Sequence, residues 1–509
     1  MTRYIFVTGG VVSGLGKGIT ASSIALLLKL RGYKVFMQKF DPYINVNMNN
    51  MSPLQHGEVY VTKDGALTDL DLGHYERFID EELNYSSNYT TGKIFRSVLE
   101  KEQKGDYLGA TLQFVPHVTN EIKSKIFEAG ISSDADFVIT EIGGTIGDIE
   151  SEMYIETLRQ LRNDLGKERI LFVHTTLIPY VFGSFELKTK PTQHSVIELR
   201  SLGIEPDILV CRTPNNLDND IKNKLSLYCS INKNNIIEAI DAKNIYQIPI
   251  NFYKQKIDEA ILNQFKLELK ESNIKPWQDF ADKVETIKDE IEISLVGKYT
   301  ELHDAYISVV ESLKHAGYYY NKNIKINWVD CEKIEDMEEL FKNSKGIIIP
   351  SAPGTRGIEG IIKTIKYARE NNIPTLVLGL SIHHMITEIG KNVCNLSEFE
   401  LNEIIIENNQ RLGNYDIGLL KNSKVYNLYN DSLITERHRN NYEFNNKYKK
   451  ILEKNNIIFS GVNEKLNLVE IIEHKNHPFF IGCLFHPEFK SRPIKPHPLF
   501  KGFIDKCKD

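Results

Sequence analysis

Residues 5 to 18 read Ile-Phe-Val-Thr-Gly-Gly-Val-Val-Ser-Gly-Leu-Gly-Lys-Gly. An apolar strand runs into a glycine-rich turn, and the turn into an Ile/Ala/Leu-patterned helix from Ile19 to Leu30, so backbone N–H groups and a helix N-terminus converge on one point. Such a point suits phosphate. Glycines 9, 10, 14, 16 and 18 are expected to let the backbone approach an anion and take positive φ, and Lys17 to supply charge for the outer phosphates. The spacing departs from a strict Walker A pattern: five residues separate Gly10 from Gly16, and Gly18 stands where Ser or Thr is usual. A magnesium ligand must then come from elsewhere. Glu141, closing an apolar strand just before the Gly143–Ser151 run, is one candidate, and the acidic Thr68–Arg77 stretch holds others. Lys188-Thr-Lys-Pro-Thr-Gln193 gathers two cations and an amide, a set suited to a second polyanion.

These groups need a scaffold that brings loop ends together. Apolar runs at Lys34–Lys39, Phe137–Glu141, Ile170–His174 and Ile208–Cys211 alternate with amphipathic stretches. This βαβ rhythm predicts a parallel sheet with helices on both faces. The rhythm lapses into charged sequence around 265–290, and a second α/β series starts at Ile291–Gly297, continuing through Gly346–Pro350, Thr375–Leu378 and a strand leading to Cys483. The expected organisation is a first domain over 1–268, a linker over 269–290 and a second domain over 291–509. Residues 400–460, rich in Asn, Lys and Ile, read as compositional bias.

Composition narrows the function classes. The 509 residues are too many for one core. With 62 Lys and Arg against 68 Asp and Glu, the net charge of −6 argues against a nucleic-acid scaffold and points to small-molecule partners. Six cysteines without C-x-x-C spacing fit neither a disulfide framework nor a zinc site, so a reducing cytoplasm is expected. The chain opens directly into a strand, and its apolar runs fall short of the roughly 20 residues of a membrane span. No membrane association is expected.

Several long stretches closely resemble the CTP synthase family: Gly9–Gly18, Lys39–Asn45, Met51–Gly57, Thr68–Phe78, Gly105–Thr111, Glu141–Ser151, Lys188–Ser195, Val296–Tyr299 and Phe485–Phe489. The resemblance spans essentially the whole chain. It implies a P-loop-like, parallel-sheet amidoligase domain that phosphorylates O4 of UTP with MgATP and lets ammonia displace the phosphate, followed by a class I glutamine amidotransferase-like α/β domain that makes the ammonia. By the same resemblance, Lys17, Lys39 and His56 are catalytic, and Ser13, Gly14, Leu15, Gly16, Lys17, Gly18 and Ile19 surround ATP. Arg212 and Asp241 are implied at the adenine, and Asp71 and Glu141 as Mg²⁺ ligands. Ser13, Asp148, Ile149, Glu150, Lys188, Thr189, Lys190, Gln193 and Lys224 are implied for UTP or for CTP as feedback inhibitor. The family forms homotetramers. Small departures lie at Asn47-Met-Asn-Asn50, Leu67 and Phe185.

Larger departures lie in the second half. A class I amidotransferase needs a Cys nucleophile on a strand-to-helix elbow, a His base, a Glu to orient it and N–H donors for the oxyanion. His486 and Glu488 match the base and its partner, and Glu398 matches a residue that holds glutamine's amino group. Where the family reads Pro-x-Leu-Gly-Ile-Cys-Leu-Gly, this chain reads Pro374-Thr-Leu-Val-Leu-Gly-Leu-Ser381, so the nucleophile position is Gly379. A two-residue slip would instead make Ser381 an elbow nucleophile. The family's Pro-Gly-Gly-Phe-Gly loop has become Pro350-Ser-Ala-Pro-Gly354, and the arginine before Tyr442 is Asn441. The expectation is a vestigial glutaminase, with Gly379, His486, Glu488 and Glu398 as its remnants, attached to an active ammonia-using ligase. Two alternatives stay open: a glutamine-dependent enzyme using Ser381, and a non-catalytic nucleotide-binding family member. Arg356 is retained but an aromatic of the same loop is replaced by Pro353, so GTP activation is expected to have little effect.

Overall fold

The strands of the first half are buried along nearly their whole length, including the polar residues of Val35–Asp41. Strands covered on both faces are a property of parallel sheets flanked by helices. In the computed structural model, which describes residues 1–48, 51–181, 183 and 186–508, the chain forms two units. One comprises Met1–Met48 with His74–Glu285, the other Asn49–Gly73 with Thr286–Asp509. Among the departures noted in the sequence, Asn49, Asn50 and Phe185 fall outside the described residues.

The first unit is built on a seven-stranded sheet. From edge to edge its strands are Ile236–Ile240, Ile208–Thr213, Ile170–Leu177, Arg3–Gly9, Phe137–Ile142, Val35–Asp41 and Asn88–Thr90, and every adjacent pair is parallel. The four strands read from sequence after the first are all here, each running one to three residues further at its C-terminal end. The two edge strands are short and carry too little periodicity to be read from sequence. Helix Lys17–Leu30 follows the glycine-rich turn. The charged stretch after residue 265 contains a helix, Lys275–Thr286, anchored by Trp277, whose indole N–H donates to Tyr246 O at 2.9 Å.

The second unit has a nine-stranded mixed sheet. Its parallel part runs Asn323–Asp330, Glu290–Gly297, Gly346–Ile349, Thr375–Leu378, Phe480–Cys483. An antiparallel extension follows: Leu468–His474, Ile457–Asn463, Ile405–Leu419, Leu433–Phe444. The reading of 400–460 as mere compositional bias is therefore corrected. Two long strands, Ile405–Leu419 and Leu433–Phe444, lie there, and some of their charged residues are buried in ion pairs. Arg411 bonds Glu443 at 2.7 Å and Glu470 at 2.7 Å, and His438 Nε2 lies 2.9 Å from Glu470. Charge can be buried when each group has a partner.

All six cysteines are free thiols, five buried and Cys394 partly so. Among the described residues, no helix is long and apolar enough to cross a membrane.

Candidate functional site

In the first unit the site residues gather at the carboxyl ends of the parallel strands, where open α/β sheets place their ligands. The loop after Arg3–Gly9 turns with positive φ at Val11 (89°), Gly14 (72°) and Gly16 (86°). The expectation of positive φ at all five glycines is corrected for Gly9, Gly10 and Gly18. Gly18 is simply helical. Gly9 and Gly10 are needed for space: a Cβ on Gly9 would meet Lys17 Cδ at 2.7 Å, and one on Gly10 would meet Ser195 Oγ at 1.9 Å. The helix Lys17–Leu30 starts from Gly16 with no side-chain cap, so its first-turn donors face the loop.

Other strand ends close on this loop. Lys17 Nζ donates to Gly144 O, and the Ile146 N–H donates to Gly9 O at 2.9 Å, which ties the 143–151 segment to the glycine-rich loop. Arg212 donates to Gly14 O at 2.7 Å and to Asp241 at 2.9 Å, so both residues carried over for adenine sit beside the loop. Lys39 pairs in register with Glu141 across adjacent strands, and its ammonium lies 3.0 Å from Asp41. Glu141 is buried and accepts from the Tyr75 hydroxyl. Asp148 accepts from the Thr145 N–H at 3.2 Å, and Ile149 and Glu150 are exposed beside it.

Helix Lys190–Ser201 begins at the polyanion segment. Its Thr192 hydroxyl donates to Leu177 O at 2.9 Å and Gln193 donates to the Thr189 hydroxyl at 3.0 Å. Lys188 pairs with Glu186. Lys224 is exposed on helix Asn219–Cys229. Asp71 and His56 belong to the second unit's portion of the chain. Asp71 opens helix Asp71–Ile79 and its N–H donates to Asp69 at 3.0 Å; His56 ends the short helix Pro53–His56.

Within the second unit, the turn after Thr375–Leu378 puts Gly379 at φ 55°. A Cβ there would lie 2.8 Å from Ser351 Oγ and 2.9 Å from His486 Cε1. His486 Nδ1 is 2.7 Å from Glu488 Oε1, while His486 Nε2 is buried with no partner among the described residues. The His and Glu are thus aimed at the elbow. The Leu380 N–H, which an elbow site would turn toward an oxyanion, donates to Ser351 Oγ at 3.2 Å. The loop beyond is held by Lys298, whose ammonium donates to the carbonyls of Ala352, Pro353 and Gly354 at 3.2, 2.9 and 2.8 Å. Burial pushes the Lys298 pKa down. Arg356 is engaged too, donating to Lys298 O at 3.0 Å and pairing with Glu332 at 3.0 Å.

A cavity of about 560 Å³ opens in front, lined among others by Tyr299, Ser351, Leu380, Arg439, Asn441 and His486. Glu398 is not among its lining residues; it is exposed at the start of helix Glu398–Glu403. Ser381 is fully buried and donates to Pro350 O at 2.6 Å, which leaves it no approach to a substrate. Cys483 lies in the apolar core, its thiol pKa driven well up by burial.

Sequence reasoning marked the loop that holds Ser351 but not its bond to Leu380, and it missed the roles of Lys298 and Tyr75, because each has a partner distant in the chain.

A family model described as CTP synthase N-terminus matches residues 3–267, and one described as Glutamine amidotransferase class-I matches residues 301–506. The CTP synthase of Caldanaerobacter subterraneus subsp. tengcongensis is 50% identical over 525 aligned residues, covering 99% of this chain and 98% of the relative. The chain belongs to the CTP synthase family. The Bacillus subtilis CTP synthase is likewise 50% identical, over 99% of this chain and 98% of its own length, and that of Geobacillus kaustophilus is 49% identical, over 99% of each. A solved chain, the glutaminase domain of Trypanosoma brucei CTPS with bound acivicin, is 29% identical over 43% of this chain and 94% of its own, with a TM-score of 0.40.

Proposed function

We propose that this chain aminates UTP at C4 to give CTP at the expense of ATP, and that it uses free or separately delivered ammonia because its glutaminase half is vestigial. Family membership over nearly the whole chain supports the ligase reaction. The observation that carries the ammonia reading is the elbow, where residue 379 has no side chain and the Leu380 N–H is bound to Ser351.

The uracil C4 carbonyl is a poor electrophile. Moving the γ-phosphoryl of ATP to O4 makes a phosphate leaving group; ammonia then attacks C4 and phosphate departs, giving CTP, ADP and phosphate. Catalysis of such a transfer is mostly positioning and charge stabilisation. In this reading residues Ser13–Ile19 surround the ATP phosphates, and Lys17 and Lys39 spread the charge of the transferred group. Arg212 and Asp241 hold the adenine. Lys188, Thr189, Lys190, Gln193 and Lys224 hold the UTP triphosphate, and Asp148, Ile149 and Glu150 serve CTP as feedback inhibitor. His56 is carried over as catalytic.

The Glu141 carboxylate is an oxygen donor of the type Mg²⁺ prefers. Mg²⁺ usually takes only one or two carboxylates and completes its shell with phosphates and water. Glu141 and Asp71 would hold it, and it would supply neutralisation of phosphate charge. A homotetramer and a cytoplasmic location accompany this reading.

The test is a side-by-side assay with UTP and ATP, supplied with ammonium or with glutamine. CTP is expected from ammonium only, and incubation with glutamine alone is expected to release no glutamate above background. Glutamate release at a rate matching CTP formation would overturn the ammonia reading, and absence of CTP from both nitrogen sources would overturn the ligase reading.

A further inference from the structure

Beneath the phosphate loop lies a histidine that none of this chemistry uses. His174, in strand Ile170–Leu177, is fully buried. Its Nδ1 is 2.9 Å from Thr8 Oγ1 and its Nε2 is 2.8 Å from Ser195 Oγ. Thr8 is the last residue before the Gly9-Gly10 pair, and Ser195 is on helix Lys190–Ser201, which starts at the polyanion segment. One imidazole therefore bridges the root of one phosphate site and the body of the other.

One protonation pattern satisfies every group. The Thr8 hydroxyl also lies 3.4 Å from Val173 O. Thr8 can donate there and accept from the Nδ1–H, while the Ser195 hydroxyl donates to Nε2. Burial and the nearby Lys17 charge keep the ring neutral, with its pKa pushed down to about 3. With both ring nitrogens bonded, the imidazole acts as a fixed hydrogen-bonding strut. The packing around it is tight: a Cβ on Gly10 would come within 1.9 Å of Ser195 Oγ, and the Gly10 N–H donates to Thr175 O at 3.1 Å. Loop and helix touch with no slack.

We propose that His174 is a positioning residue that sets the spacing between the two triphosphate sites, and so the alignment of the ATP γ-phosphate with O4 of UTP. The inference rests on the reading of the glycine loop as the ATP site and Lys188–Gln193 as the UTP site. Phosphoryl transfer needs near-attack geometry, and a misplacement of about 1 Å costs roughly 100-fold in rate. Each nucleotide still has its own contacts when the strut is lost, so the damage falls on turnover before it falls on binding.

The experiment compares the unsubstituted enzyme with His174→Ala, His174→Gln and Ser195→Ala. It measures kcat for CTP formation with ammonium, the Kd of UTP and of a non-hydrolysable ATP analogue by titration calorimetry, and the melting temperature. The expected result is a kcat loss on the order of 100-fold for His174→Ala, with each Kd changed by less than about 3-fold. His174→Gln, which can still reach one partner, is expected to recover part of the rate, and Ser195→Ala to show the same split more weakly. If His174→Ala does not fold, the Gln and Ser195 variants carry the same test. Unchanged kcat in the folded variants, or a parallel weakening of both Kd values and the melting temperature, would overturn the inference. Failure of the unsubstituted enzyme to form CTP would instead remove the reading beneath it, and the inference with it.

Discussion

The phosphate loop of the first unit and the elbow of the second are built alike. Each ends a buried parallel strand, turns through a glycine at positive φ, and enters a helix with no side-chain cap, Lys17–Leu30 in one and Ser381–Asn392 in the other. What differs is the fate of the polar groups at the turn. At the first, Lys17 donates to Gly144 O and Arg212 to Gly14 O and Asp241, yet Arg212 and Asp241 stay half-exposed beside the loop. At the second, the Leu380 N–H goes to Ser351, the Ser381 hydroxyl to Pro350 O, and Lys298 clasps three loop carbonyls. A strand–turn–helix unit binds a substrate only where its donors are left for one. Where the chain satisfies them itself, the same geometry becomes packing.

The comparison can be broken most decisively at the metal-ligand candidates. Glu141→Ala and Asp71→Ala are each expected to abolish CTP formation from ammonium, because MgATP would lose the carboxylates that align its phosphates. Turnover near that of the unsubstituted enzyme in both would contradict the assignment. Next in size is Lys17→Ala, expected to cost about 3 kcal/mol of transition-state stabilisation, or more than 100-fold in kcat/KM. A loss under tenfold would reduce Lys17 to a brace for the Gly143–Ser151 loop.

Restoring the nucleophile tests the other side. Gly379→Cys alone is expected to release no glutamate, because Ser351 still holds the Leu380 N–H and Asn441 cannot grip a carboxylate as an arginine does. The same variant is expected to lose about 1–3 kcal/mol of stability, measurable by chemical denaturation, since a side chain at φ 55° is strained and meets Ser351. Adding Ser351→Gly, Ala352→Gly and Asn441→Arg is expected to bring measurable glutaminase activity. Efficient hydrolysis by the single variant would mean that the substrate site is intact and not vestigial.

The smallest expected effect is a difference in acid sensitivity. In the second unit burial pushes His383 down to about 3 and His384 and His477 to about 4; in the first, among the described residues, only His174 is so held, at about 3. A neutral buried histidine binds its proton more readily when unfolded, so stability rises with pH between the folded value and about 6.5 and is lost on acidification through that window. Glu443, raised to about 7 by burial, acts in the opposite sense but is one group against four, since burial lowers His474 as well. Hydrogen exchange, corrected for its intrinsic pH dependence, is therefore expected to show larger loss of protection in the second unit between pH 7.5 and 5. Equal loss in both units would count against this reading.

How much of this could be read from the chain depends on distance. The parallel strands, the glycine loop and the His486–Glu488 pair were legible because apolar runs and short motifs are local. The 405–444 strands were not, because Arg411, Glu443 and Glu470 look like solvent-facing charge until their mutual pairing is seen. Ser351 reads as one more loop residue; only the fold carries it to Leu380, 29 positions away. His174 lies within a strand that reads as plain core, and its two partners stand 166 and 21 residues from it.

The burial of the native thiols has a practical consequence. Desolvation drives Cys211 up to about 12 and Cys229 and Cys331 up to about 11, raises Cys394, and lifts Cys483 and Cys507 further still. The thiolate is the nucleophile that attacks an alkylating reagent, so at neutral pH the folded protein is a nearly silent background for cysteine chemistry. A thiol introduced at position 379 beside His486 can then be counted directly with a maleimide or iodoacetamide tag. The rate of tagging reports how nucleophilic the rebuilt elbow has become before any glutamine is added.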